Sequence, residues 1–143
     1  MSHYQTREEA RIKWMNETFE VGVSKTPTDL GTLRIYEFES ILHEELSELR
    51  QVREAEGEER LVRLADLLAD IIVYTKSEAC RWGIPLAEVF NIVMDSQASK
   101  LVDGKPLKSP DGNKFIKGPD YVGPEERIRE CITRSIHSNH VDS

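Results

Sequence analysis

Phe38-Glu39-Ser40-Ile41-Leu42-His43-Glu44-Glu45-Leu46-Ser47-Glu48-Leu49-Arg50-Gln51-Val52 carries apolar side chains at helical spacing and an acid in the midst of them. At about 100° per residue, Phe38, Ile41, Leu42, Leu49 and Val52 fall on one stripe. Glu45 lies in the middle of that stripe and Glu48 at its border. A carboxylate facing a core is costly unless it is protonated, paired or bound to a cation. A second acidic cluster, Asp66-Leu67-Leu68-Ala69-Asp70, sits in the next apolar-periodic segment. Between them, Glu54 to Glu59 is a short polar break around Gly57, so the two helices should run antiparallel and bring both clusters together.

Working outward, helices are expected over about 5–19, 33–55, 59–81 and 86–99, with Gly83 and Pro85 stopping the third. Val21 to Gly31 reads as a loop, with Gly22, Pro27 and Gly31 among small polar residues. Leu101 to Gly123 is broken by seven Gly and Pro residues and dotted with Lys105, Lys108, Lys114 and Lys117. It reads as a basic loop or short hairpin. Pro124-Glu125-Glu126 begins a last helix, expected to end near Ser135, with a frayed tail from about 136. The fold class expected is all-α, a bundle of four to five helices with antiparallel central helices and a C-terminal basic loop, and 143 residues suit one domain.

Composition narrows the function. Nineteen basic against 26 acidic side chains give a net charge of −7, which argues against a nucleic acid polymer as partner. A polyphosphate remains compatible, because divalent ions cancel both sets of charge. The longest apolar run, Ile71-Ile72-Val73-Tyr74, is too short to cross a membrane, and Met1 to Glu9 has no apolar secretory segment. Cys80 and Cys131 have no metal-like or redox-motif spacing and read as free thiols. A cytoplasmic location is expected.

Glu45 and Glu48, three apart on a helix, can reach one ion, and Asp66 and Asp70 share a face at four apart. Clustered carboxylates suit Mg2+, with Mn2+ a possible substitute. A competing reading holds for the second cluster, since Glu59, Arg63, Asp66, Asp70 and Ser77 could form the solvated side of an amphipathic helix. Glu44 falls farther round its helix and suits a base more than a ligand. Lys100 and Lys117 are candidates to hold phosphates, against the alternative of plain solvated lysines. Tyr121 and Trp14 could stack on a base, Trp14 serving equally in a core or subunit interface. His43 points away from Glu45, toward a surface or interface, and His137 and His140 belong to the expected tail.

The order Glu-Glu-x-x-Glu, a spacer, an acid-containing helix ending near a glycine and a lysine-bearing loop resembles the all-α nucleoside triphosphate pyrophosphohydrolases of the MazG superfamily. Asp95-Ser96-Gln97-Ala98-Ser99-Lys100, Asp103-Gly104-Lys105-Pro106, Asp111-Gly112 and Lys117-Gly118-Pro119-Asp120-Tyr121 resemble its phosphoribosyl-ATP pyrophosphohydrolase-like branch. The likeness spans about Phe19 to Pro124. It implies a Mg2+-dependent enzyme that cuts a nucleotide between the α and β phosphates, releasing monophosphate and pyrophosphate. It also implies Glu45 and Glu48 as ligands, Asp70 opposite them, Asp66 close by, and Glu44 holding or deprotonating the attacking water. Two positions depart from the pattern. The family's second motif is usually Glu-x-x-Asp, whereas Leu67 stands three before Asp70, and Gln97 stands where asparagine is common. The other function expected from the residues is a non-catalytic helical oligomerisation or binding module with a structural metal. The apolar content of the helices predicts a homodimer or homotetramer.

Overall fold

The computed structural model describes residues 6–141, and side chains through 138. The described residues are mostly helical and the class is all-α. The backbone groups into two compact units, one ending at Ile84 and one beginning at Pro85.

In the first unit, α1 (Arg7–Thr18) starts on a reciprocal cap. The Glu9 N–H donates to Thr6 Oγ1, and the Thr6 N–H donates to the Glu9 carboxylate, both at 3.1 Å. The expected start at Gln5 lies outside the described residues. A loop follows over 21–31, as expected, and then α2 (Thr32–Ser47), α3 (Leu49–Glu54) and α4 (Gly57–Trp82).

The single helix expected over 33–55 is therefore interrupted, and the interruption falls on Glu48. Ser47 explains it. Its hydroxyl donates to the Glu44 carbonyl at 2.6 Å, and the Glu48 N–H bonds to Glu45, three residues back. Serine bonding back to its own helix competes with the regular ladder and tightens or bends it.

Helix α4 is the spine of the unit, with α1, α2 and α3 packed against it. Its junction with α3 is only two residues long, which forces α2–α3 and α4 antiparallel. Cross-links confirm the register. Arg60 Nε donates to the Ala55 carbonyl at 2.8 Å, Arg63 Nη1 to Gln51 at 3.0 Å, and Arg34 to Glu78. Each pair lies farther from the turn than the last.

Two further contacts tie the 21–31 loop and α1 to α4. Asn16, fully buried, donates to the Gly22 and Ser77 carbonyls at 3.0 Å each and accepts from Ser77 Oγ at 2.6 Å. The Ser24 and Thr28 N–H groups bond the Cys80 and Trp82 carbonyls at the end of α4, where the helical ladder runs out. Gly83 closes the helix at φ +70, and a Cβ there would collide with the Thr26 carbonyl. Glycine is required at that position on both grounds.

The second unit pairs α5 (Leu86–Ala98) with α6 (Glu125–Val141) around Ile92 and Cys131, both buried. Between them, β1 (Leu107–Lys108) and β2 (Phe115–Ile116) form an antiparallel hairpin, Leu107 opposite Ile116 and Lys108 opposite Phe115. The basic loop is thus a hairpin. Ser96 and Ser99 hydroxyls both donate to the Val122 carbonyl, and the Val122 N–H returns to Ser99 at 2.9 Å. The last helix does not end near Ser135. It continues to Val141, six residues into the segment expected to fray. Arg134 pairs with Glu88 across the two helices just before the expected end, and Ser135 Oγ bonds the Cys131 carbonyl at 2.8 Å. No helix among the described residues is long and apolar enough to cross a membrane.

Candidate metal centre

The antiparallel register places Glu45 and Glu48 opposite Asp70. One carboxylate oxygen from each of the three lies within 4.8 Å of the other two. Glu45 is only 8% exposed, beneath the half-buried stripe of Phe38, Ile41, Leu42, Leu49 and Val52 that the helical spacing predicts. Glu48 is exposed and Asp70 half-buried, so the cluster opens to solvent on one side.

The electrostatics are those of a site lacking positive charge. Burial raises the Glu45 carboxyl above the usual glutamate range, and the charges of Glu48 and Asp70 raise it further. Asp66 adds a smaller push, while the Tyr74 hydroxyl, approaching from α4, favours the ionised form. Burial and the same carboxylates raise the Tyr74 phenol in turn. The Glu45 Oε2 atom is shut off from water with no hydrogen-bond partner among the described residues. Buried polar atoms in native proteins are rarely left so, and an orphaned oxygen beside two more acids fits a divalent cation. The donor set, three carboxylates, is of the hard-oxygen kind that Mg2+ takes.

The remaining sequence candidates divide between the units. Asp66 is exposed and stands outside the cluster of three, in a shallow groove lined by Glu48, Gln51, Val52, Arg63 and Leu67. Its neighbour Arg63 is held by Glu59 at 2.9 Å, so this end of the α4 stripe is the solvated surface of the alternative reading. Glu44 is exposed, one residue from the cluster, and its charge acts on Tyr74. Trp14 is exposed and meets Phe19 edge to face, ring centroids 6.5 Å apart. His43 is on the surface beside Glu39, as expected. Gln97, Lys100, Lys117 and Tyr121 belong to the second unit. There the Lys117 ammonium sits 4.7 Å from the Tyr121 ring centroid, a cation–π pair, while Gln97 is exposed and Lys100 half-buried. His137 is exposed on α6, and the side chain of His140 lies outside the described residues.

Four residues of consequence do not stand out in the sequence as candidates: Ser47, Tyr74, Arg34 and Arg81. Arg34 forks onto Glu78, Nε to Oε1 at 2.9 Å and Nη2 to Oε2 at 2.5 Å, with both side chains mostly buried. Burial works to raise the Glu78 carboxyl, but the Arg34 and Trp82 hydrogen bonds outweigh it and hold the group below its ordinary value. Spacing could have found this pair. Arg34 stands eleven residues before Glu45 on the same helix face, a position that also faces α4.

The chain matches no protein-family model, and no curated protein matches it.

Proposed function

We propose that the protein is a Mg2+-dependent nucleotide pyrophosphohydrolase of the MazG-like type, hydrolysing a nucleoside triphosphate or phosphoribosyl-ATP-like nucleotide between the α and β phosphates. The supporting observation is the partnerless buried oxygen of Glu45 in a cluster with Glu48 and Asp70. Glu45, Glu48 and Asp70 would hold the metal, with Asp66 at the margin. When bound, Mg2+ neutralises phosphate oxygens and helps the departing pyrophosphate. Glu44, solvent-facing and next to the ligands, accepts the proton of the attacking water, with Glu48 also placed to orient it. The Tyr74 hydroxyl favours the ionised form of Glu45, the form in which that carboxylate would bind a cation. Lys100 and Lys117 are the candidate phosphate contacts, by charge and resemblance. Two free thiols, Cys80 and Cys131, accord with cytoplasmic work.

Oligomerisation belongs to the same reading. On the side of α4 opposite the acids, Leu61, Ala65, Leu68 and Ile72 recur at the spacing of a helix-packing seam, and Leu61, Leu68 and Ile72 are 67%, 53% and 54% exposed. A second copy of the chain would cover it. That seam also favours the competing reading, a non-catalytic oligomerisation module with a structural ion. Pyrophosphate release from a panel of nucleotides with Mg2+ separates them. Turnover lost in Glu48→Ala and Asp70→Ala supports the enzyme, and no turnover with any nucleotide or metal refutes it.

A further inference from the structure

The wall that carries the acids continues along the same two helices. Arg34 and Glu45 are eleven residues apart on α2, and Asp70 and Arg81 eleven apart on α4. Eleven residues return a helix to within about 20° of the same face and advance it about 16 Å. Because the arms are antiparallel, Arg34 and Arg81 meet at one end of the groove as Glu45 and Asp70 meet farther along it. At that end lies a wide-mouthed surface cavity of about 320 Å3 lined by Leu30, Leu33, Arg34, Glu37 and Arg81. Its size is that of a small-ligand site.

The polar groups around it are unequally satisfied. Arg34 is engaged at each of its three guanidinium nitrogens, by Glu78 and by Glu37, whose carboxylate accepts from Nη1 at 3.1 Å. Arg81 is not. Its Nε is buried with no hydrogen-bond partner among the described residues, although its charge acts on Glu78. Arg81 is also one of the residues that line the cavity. Glu37 keeps about half its side chain in solvent and has lone pairs to spare. Leu30 and Leu33 present exposed apolar surface.

We infer that this cavity holds the base of the nucleotide whose phosphates meet the acids, the ring lying against Leu30 and Leu33 with Arg81 donating to, and Glu37 accepting from, its edge. The inference rests on the pyrophosphohydrolase reading for the phosphates, but the cavity itself needs no metal. A planar base has two apolar faces and an edge offering both acceptors and donors, which matches two leucines, one unsatisfied N–H and one part-free carboxylate. The α4 side chains lean toward the helix N-terminus, which inclines Arg81 toward the Asp70 end of the groove.

The experiment titrates nucleoside 5′-monophosphates carrying each of the four common bases, and inorganic tripolyphosphate, into the full chain in EDTA and again in Mg2+. Binding is followed by two-dimensional NMR and calorimetry. At least one monophosphate should bind in EDTA and shift the resonances of Leu30, Leu33 and Arg81. Arg81→Lys, which retains the charge beside Glu78, and Leu33→Asn, at an exposed position, should each weaken it by about tenfold while leaving tripolyphosphate binding in Mg2+ unchanged. Thermal melts equal to those of the original chain show that the variants fold. No shift at these residues with any monophosphate, or unchanged monophosphate affinity in both folded variants, overturns the inference. Pyrophosphate release is scored separately. Turnover without base binding here removes the subsite and leaves the hydrolase, whereas base binding here without turnover does the reverse.

Discussion

Replacing Glu45 by glutamine keeps the shape of the side chain and removes its charge. In metal-free buffer near neutral pH the variant should be more stable than the original chain, an unusual sign for a substitution at a buried position. Carboxylate oxygens within 4.8 Å of one another repel by about 3.5 kcal/mol per pair at an effective dielectric of about 20. Glu48 is exposed, so screening leaves a net gain of about 1–3 kcal/mol for the variant. The pH dependence follows from the same charges. Glu45 titrates above its ordinary value when folded, so its contribution is full below the unfolded value and is lost as pH rises through the folded one. The metal-free original chain should therefore gain stability on mild acidification, within a window just above the usual glutamate range, and the glutamine variant should not. Adding Mg2+ to about 100 times its dissociation constant should stabilise the original chain by about 2.7 kcal/mol. In a chain of this length that raises the melting temperature by about 5–10 °C. The variant should lose most of that rise. Urea unfolding with and without EDTA, at several pH values, measures all three. A variant less stable than the original in EDTA, together with no response of the original to Mg2+ or Mn2+, would refute the shared-cation account.

Glu78→Gln removes one partner of the mostly buried Arg34 pair and should cost about 3 kcal/mol in chemical denaturation. The Glu78 carboxyl titrates below its ordinary value, so the stability it supplies is full above the unfolded value and is lost as pH falls through the folded one, the opposite slope to Glu45. An unchanged midpoint would contradict the pairing. Gly83→Ala meets both the positive φ and the Thr26 carbonyl and should cost about 2 kcal/mol or more, read by thermal melting. Leu68→Asp on the exposed α4 seam should shift the sedimentation coefficient at micromolar concentration toward the monomer without lowering helicity. A monomer already present in the original chain would remove the case for the seam.

The class of the fold and the antiparallel pairing of the acidic helices were readable in advance, because helical periodicity and a short polar break depend on local sequence alone. Gly83 likewise announced its helix end. What escaped were effects of a single side chain on its own backbone and of partners far away in sequence. Ser47 is compatible with a helix interior until its hydroxyl turns back on Glu44, so the break at Glu48 has no periodic signature. The last helix outlasts the expected end near Ser135, beyond the Arg134 pairing with Glu88, 46 residues earlier. At the site, Glu45 was recognisable as an acid among apolar neighbours, whereas Tyr74, Arg34 and Arg81 look like ordinary residues until α2 and α4 are laid side by side. Asp66 resembled Asp70 by spacing, yet the helix turns it toward Arg63 and the solvent.

The two-residue junction between α3 and α4 bears on the order of events during folding. Closing so short a connection costs little chain entropy, and contacts between nearby segments form fastest. The carboxylates that would share an ion are thus gathered by a local helical hairpin whose register is complete once the chain has reached about Glu78. Once both arms have emerged from the ribosome this hairpin can form before the remainder of the polypeptide is made, and a cation shared between the arms would hold it closed.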